Sequence, residues 1–314
     1  MTAPERKLIA AVDGATGYVG NHLVWALAKN GYQVRAIVHP KAKESDCRFL
    51  QTCGAEIFRT DLKSDSEILK KALNSADCAF HLIGSIAPPK GQKLEDLHAG
   101  QTKELLAACR ESKTKVMLLT ALGSRGDAQS DYHKTKWQSE ELLRNSGLEY
   151  LILQPSLIVG KQVGNRNSKL MTRYVHLIRT RPRVPLIAGG SVSLQPVFIG
   201  DLTEAIIKAS FDPKYSGKTL ELGGPEIINM KELVSKLMQL LRINKPLIAV
   251  PTAVASLAAS FLEIFQTVPL LSRDQVKLSA SDNYCKSNAL SELLGHSPTS
   301  LDAALSTYGD FKEI

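Results

Sequence analysis

The chain has 314 residues, 44% hydrophobic, 22% charged and 6% aromatic, which excludes a disordered or collagen-like polymer and disfavours a binder built on stacked aromatics. Its 39 basic against 31 acidic residues leave a net charge of +8. The excess is local: no Asp or Glu lies between Tyr150 and Gly200, a stretch that holds Lys161, Arg166, Lys169, Arg173, Arg179, Arg181 and Arg183 and so points to an anionic partner.

In chain order, residues 1–14 (MTAPERKLIAAVDG) reach charge and then a strand, without the apolar core of a signal sequence. Strands are expected over 8–12, 34–38, 55–59, 79–83, 116–120 and 150–153. Helices are expected over 18–29, 67–73, 94–111 and 130–145, the first stopped by Asn30-Gly31. Near-continuous apolar strands alternating with helices mean a parallel sheet covered on both faces, a doubly wound α/β design of the Rossmann type. Residues 1–155 read as that dinucleotide-binding domain, and 156–314 as a smaller α/β cap for substrate or partner, with strands and a helix returning to the core near 192–222. Within the cap a strand pair is expected from 191–199 and 218–222. Asp201 reads as the N-cap of a helix over 202–210, and Asn229 as the cap of one over 230–241.

Gly14-Ala15-Thr16-Gly17-Tyr18-Val19-Gly20 follows the first strand and opens the first helix. A pyrophosphate needs close backbone approach, hence glycine, and gains from the N–H groups at a helix start. A carboxylate at the tip of the second strand would favour NAD. Here that tip lacks one, and Arg35, His39, Lys41 and Lys43 could meet a 2′-phosphate, so NADP is favoured with NAD as the alternative. Asp61-Leu62 after the third strand falls where adenine would lie, and Ile83-Gly84 after the fourth falls near the phosphates and ribose.

Tyr132 and Lys136 are four residues apart on one expected helical face. A tyrosine beside an ammonium and a nicotinamide can exchange a proton with a hydroxyl or carbonyl while hydride moves, and the lysine can also hold the nicotinamide ribose. A hydroxyl partner is expected upstream, at Thr120 or Ser124.

Arg166, Lys169 and Arg173 suit a phosphate or carboxylate, whether on a small substrate, an acidic partner protein or an anionic membrane surface, and a solvated helical face weighs as heavily. No reader motif accompanies the charge, so nucleic acid is not expected. The apolar stretch 253–265 reads as core or cleft wall rather than a membrane anchor, and is too short to span a bilayer at about 20 residues. The same stretch beside a basic patch would alternatively dock on a membrane complex. Cys47, Cys53, Cys78, Cys109 and Cys285 form no CxxC or Cys/His cluster, so reduced thiols in the cytoplasm are expected, and no metal site.

With these residues in place the chain resembles a short-chain dehydrogenase/reductase of the extended or atypical, epimerase/dehydratase-like kind. The resemblance runs through GATGYVG, Asp61-Leu62, His81-Leu82-Ile83-Gly84-Ser85, Tyr132-His133-Lys134-Thr135-Lys136, residues 154–160 and residues 195–201. Leu222-Gly223-Gly224-Pro225-Glu226, residues 231–233, residues 269–276 and Asp282-Asn283 resemble one branch, the bacterial relatives of the nucleotide-binding accessory subunit of respiratory complex I, itself similar to NmrA-like sensors. The resemblance implies tight NADP(H) binding, Gly14, Gly17 and Gly20 on the pyrophosphate, Tyr132 and Lys136 as the catalytic pair, and Pro155 beside the nicotinamide. It departs from the usual pattern at His98, where many relatives carry Asn, at Thr120-Ala121, where many carry a serine pair, and at His39, where NADP-binding relatives often carry Arg.

Two functions follow as expectations. The first is an NADP-dependent oxidoreductase or epimerase using the Tyr/Lys pair on an anionic or nucleotide-linked substrate. The second is a non-catalytic NADP(H)-binding subunit or assembly factor of a respiratory assembly, peripheral at the inner membrane, or an NmrA-like redox sensor.

Overall fold

The computed structural model describes residues 6–63, 65–86, 91–266 and 271–308. Part of the N-terminal stretch, and Pro269 and Leu270 of the segment compared above, lie outside them.

Seven strands form one parallel sheet: β1 (Ile9–Val12), β2 (Gln33–Val38), β3 (Glu56–Arg59), β4 (Cys78–His81), β5 (Lys115–Leu119), β6 (Tyr150–Pro155) and β11 (Thr219–Leu222). Their spatial order is β11-β6-β5-β4-β1-β2-β3, so the order reverses between β1 and β4. Ligands in such sheets bind outside the carboxyl ends of the strands at that point. One face is covered by α1 (Tyr18–Lys29) and α7 (Ile199–Phe211), where Leu23, Val24 and Leu27 meet Leu202, Ala205 and Ile206. The other is covered by α3 (Glu67–Leu73), α4 (Gln101–Ser112) and α5 (Asp131–Arg144), through Leu69, Leu73, Leu105, Leu106 and Leu143. A second core gathers α6 (Lys169–Thr180), β8 (Val184–Ile187), α8 (Met230–Leu241) and α12 (Leu301–Ser306) around Met171, Val175, Ile178, Leu233 and Leu237.

Several local expectations are corrected. The strand pair over 191–199 and 218–222 does not form. β11 joins β6 in the main sheet, while Ser193–Leu194 pairs antiparallel with Ile228–Asn229 and Val197–Phe198 pairs with Ile158–Val159. Asp201 lies inside the first turn of α7 rather than at its cap, because its carboxylate accepts from the Thr299 N–H and hydroxyl. Asn229 does cap α8, in a reciprocal box with Glu232. The fourth strand stops at His81, since the N–H groups of Leu82 and Ile83 turn to the Asp13 carboxylate instead of a neighbouring strand. The helix expected over 94–111 opens with a π turn, Asp96–Gly100, before α4 begins. A helix the sequence reading did not place, α2 (Glu44–Thr52), follows β2, and its burial rests on Asp46, Cys47 and Leu50.

The largest correction concerns residues 253–265. They form a helix, α9 (Thr252–Phe265), but only Ala255 and Ala259 are buried, against Leu271 and Val276. Most of its length is therefore exposed rather than core. Among the described residues no helix is long and apolar enough to cross a membrane.

Candidate functional site

The β1–α1 turn is built for close approach. A Cβ on Gly20 would lie 2.2 Å from the Gly14 carbonyl oxygen and 2.7 Å from Ala15 Cα, so any larger residue displaces the turn itself. Gly14 holds φ +60°, a left-handed conformation that glycine adopts without penalty, and its Cβ would meet the Leu82 backbone at 3.0 Å. Gly17 is the N-cap of α1 with no side-chain cap, and the first turn carries no acid. The free N–H groups and positive end of α1 therefore face the loop, as a diphosphate requires. The Tyr18 hydroxyl is turned away, donating to the Gly160 carbonyl at 2.6 Å.

Beneath the turn lies a buried polar relay. Asp13 accepts from Leu82 N (2.8 Å), Ile83 N (3.2 Å) and His81 Nδ1 (2.5 Å). His81 Nε2 meets the Thr102 hydroxyl at 2.9 Å, and Thr102 donates to the His98 carbonyl. His98 Nδ1 meets Thr135 Oγ1 at 2.8 Å, its Nε2 accepts from Ser85 N at 3.3 Å, and its ring stands edge-on to Tyr132 at 5.5 Å. The relay ties the glycine turn to the helix that bears Tyr132 and Lys136. Asp13 and His98 stood in the sequence, but only their partners give them this part.

Burial, then the Lys136 charge, draws His98 down to about 2, and burial draws His22 and His133 down to about 4. These imidazoles stay neutral in the fold while an unfolded chain protonates near 6.5. Their stabilisation is present above pH 6.5 and lost as pH falls from there toward 4, at about 1.4 kcal/mol per pH unit for each. Urea midpoints measured from pH 7 to 4.5 should fall accordingly, and His22→Gln should flatten the slope; an unchanged slope in that variant would contradict the assignment.

Lys136 is buried, and its ammonium donates to Ile83 O (2.9 Å) and Leu119 O (3.2 Å). Gly84 makes room for it, since a Cβ there would come within 2.7 Å of Nζ. Burial lowers Lys136 to about 8 against the opposing pull of Asp13 and Glu140. Tyr132 is half-buried, and among the described residues no group hydrogen-bonds its hydroxyl. Burial first, and then the Asp274 carboxylate, push its phenol up to about 12. Asp274 comes from α10 (Arg273–Leu278) and caps α5, accepting from the N–H groups of Asp131 (2.7 Å) and Tyr132 (2.9 Å).

Neither expected hydroxyl serves Tyr132. Thr120 is buried and donates to Glu140 at 2.6 Å, in a cluster that Gln154 and Arg144 complete. The Ser124 hydroxyl donates to the Ala121 carbonyl at 2.7 Å within its own turn. Pro155 closes β6, and its carbonyl accepts from Leu122 N. Beside it Ser156 donates to Asn283 Oδ1 at 2.7 Å, and Asn283 donates to Leu122 O, so a C-terminal segment seals the ends of β5 and β6.

Around the tips of β2 and β3 the expectations divide. His39 and Lys41 lie in the exposed β2–α2 turn, with Lys41 N donating to His39 Nδ1. Arg35 sits in mid-strand, and its guanidinium donates to Ala72 O (3.1 Å) and Asn74 O (2.6 Å) at the end of α3, so it is not available to a 2′-phosphate. Arg59, which sequence reasoning passed over, stands next to Val38 in the register of β3 and β2, donates to Ala42 O and pairs with Glu44 at 2.7 Å. Its signal was a basic residue at the tip of the adjacent strand. Arg35→Ala should therefore leave any NADPH-over-NADH preference unchanged in titration calorimetry while costing about 1–2 kcal/mol of stability through lost carbonyl partners. A collapse of that preference would restore Arg35 to the site. Asp61 is exposed beside Lys63, and Leu62 is buried with φ +57°.

The three basic candidates differ. Arg166 pairs with buried Asp46 at 3.2 Å, fastening its loop over α2. Lys169 reaches Ser85 Oγ only at 3.5 Å. Arg173, half-buried, has no hydrogen bond or ion pair among the described residues, and burial disfavours its charged form. In the same segment Gln162 Oε1, Asn167 Nδ2 and Thr172 Oγ1 are buried without partners.

Comparison with known proteins agrees with this architecture. The model of the NmrA-like family matches residues 5–237. The chain is 27% identical over 297 residues to the mitochondrial NADH dehydrogenase [ubiquinone] 1 alpha subcomplex subunit 9 of Arabidopsis thaliana, covering 90% of this chain and 72% of that one. Solved structures with the same fold include UDP-glucuronic acid 4-epimerase from Bacillus cereus with UDP-glucuronic acid and NAD (TM-score 0.73, 20% identity, 97% and 98% of the two chains). Another is NADPH-dependent quinone oxidoreductase from Escherichia coli with NADPH (TM-score 0.73, 19% identity, 95% and 98%).

Proposed function

The chain belongs to the NmrA-like family, and from that footing we propose that it binds NADP(H) at the β1–α1 turn and acts as a peripheral accessory subunit or assembly factor of a membrane-bound respiratory complex, holding the nucleotide rather than turning it over. The glycine turn, the uncapped start of α1 and the basic surroundings of the β2 tip support the nucleotide. The complex I subunit of Arabidopsis, similar over 90% of this chain, supports the partner class. One observation carries the absence of turnover: the Thr120 hydroxyl is spent on Glu140 and that of Ser124 on Ala121, so neither expected hydroxyl is free to assist Tyr132. A phenol pushed up to about 12 is a poor base at neutral pH, and the nearby Asp274 carboxylate acts against ionisation.

A bound nicotinamide would supply hydride chemistry, and Lys136, turned to Ile83 and Gly84, would meet its ribose. A second reading, an NADP-dependent reductase or epimerase, is favoured by Arg173 and the three partnerless polar atoms in the same chain segment, which suit an anionic substrate. Gly14, Thr16, Gly17, Val19 and Gly20 would hold the diphosphate in either case.

Native mass spectrometry of the purified protein is expected to show one dinucleotide with the extra phosphate. Tyr132→Phe is expected to keep that mass and to leave any slow NADPH oxidation within twofold, roughly 0.4 kcal/mol. A brisk turnover that falls by more than about a hundredfold in the variant would replace the first reading with the second. Failure of the empty protein to take up either nicotinamide nucleotide would overturn both.

A further inference from the structure

Helix α9 is oriented the wrong way for a structural helix. It is apolar almost throughout, yet it turns two alanines to the protein and its large side chains outward. Val254 is 56% exposed, Leu257 75%, Phe261 63% and Phe265 70%. Their spacing of three, four and four residues sets them in one stripe along the helix. The rings of Phe261 and Phe265 touch at 4.5 Å between centroids. The helix carries one charge, Glu263, and Arg273 neutralises it through Nε at 2.8 Å and its own backbone N–H.

The strand that leads into α9 is exposed as well. β13 (Leu247–Val250) lies parallel to β8 and presents Ile248 and Ala249 to solvent. The entry end of this two-stranded ribbon is basic. Val184 N donates to Pro246 O and Val184 is in register with Leu247, so Arg183 and Lys245 both lie just before the ribbon's first pair, with Arg181 and Arg242 two and three residues further back along the chain. Arg181, Arg183 and Arg242 are exposed, and their side chains have no ion pair among the described residues.

We propose that the α9 stripe and the basic end of the β8–β13 ribbon form a surface that lies on an anionic lipid bilayer, with α9 in the interfacial plane and Phe261 and Phe265 at acyl depth. A convex stripe without a hydrogen-bonding side chain matches a fluid apolar phase, and the arginines match anionic headgroups. A second copy of the chain is a poorer occupant. A two-fold interface through this patch would set the same uncompensated arginines against one another. The chemistry is that of an interfacial helix, since α9 at 14 residues does not span. Membrane contact calls on neither the nucleotide turn nor Tyr132.

Flotation of the full chain with vesicles tests it. The protein is expected to float with phosphatidylcholine–phosphatidylglycerol vesicles, far less with phosphatidylcholine alone, and less as salt rises. Leu257→Glu with Phe261→Glu is expected to cut the bound fraction about tenfold without lowering the melting temperature, because both sites are exposed. Arg181→Glu with Arg183→Glu is expected to abolish the preference for anionic vesicles. Added NADPH is expected to change none of this, so a failure here is separate from a failure of nucleotide binding. Equal flotation of the Leu257/Phe261 variant would place the membrane surface elsewhere and overturn the proposal. Wild-type protein that stays with the soluble fraction would overturn it as well. A wild-type dimer that the same variant breaks, with no vesicle binding, would do so in favour of a second copy.

Discussion

Asp13→Ala is expected to cost about 3–5 kcal/mol of folding stability, the largest effect of any single change in the site. The carboxylate is 1% exposed and accepts from His81 and from two backbone N–H groups, so its loss leaves one buried and two part-buried donors without partners. A buried unpaired donor costs about 1–3 kcal/mol. The effect extends to chemistry. Asp13 raises Lys136 against the pull of burial, so Asp13→Asn should lower the lysine further below about 8. Asparagine keeps one acceptor and should be intermediate in stability. Urea denaturation at pH 7 measures both variants. An alanine protein within 1 kcal/mol of wild type, by the ~1–3 kcal/mol scale of one lost partner, would show that the relay does not hold the β4 exit.

Gly20→Ala should abolish useful nucleotide binding. The added methyl meets backbone at 2.2 and 2.7 Å, and backbone cannot swing aside as a side-chain end can. Overpacking of this kind costs about 1–3 kcal/mol in the fold. Because the colliding atoms belong to the turn proposed to hold the diphosphate, the loss should appear in affinity too, as a Kd raised about a hundredfold. Calorimetry with NADPH and a thermal melt read the two separately. Binding within threefold of wild type, roughly 0.65 kcal/mol, would mean the diphosphate lies elsewhere.

The site was unevenly legible. The glycine turn could be read because its requirement is local: a strand, a tight turn and a helix start occupy one short stretch. Tyr132 and Lys136 could be paired from helical spacing alone. Thr120 could not be assigned, because whether its hydroxyl faces Tyr132 or Glu140 depends on a buried carboxylate twenty residues on and on Gln154 of a different strand. Arg35 failed for a similar reason. Its reach to the end of α3 is a contact across 37 to 39 positions. Asp274 caps α5 from 142 and 143 residues away. The α9 segment misled because periodicity registers an apolar face without saying on which side the protein lies.

What the sequence determined by itself was the parallel α/β class, the position of the glycine turn between β1 and α1 and the helix carrying the Tyr/Lys pair. Each is dictated by residues within one turn or one element, where spacing and backbone sterics suffice. What only the tertiary structure decided was the company each polar group keeps: Thr120 with Glu140, Arg35 with α3, Tyr132 with Asp274, and α9 with solvent. Those outcomes are set by which distant segments meet in a medium where every buried donor must find an acceptor, and one-dimensional spacing does not contain that information.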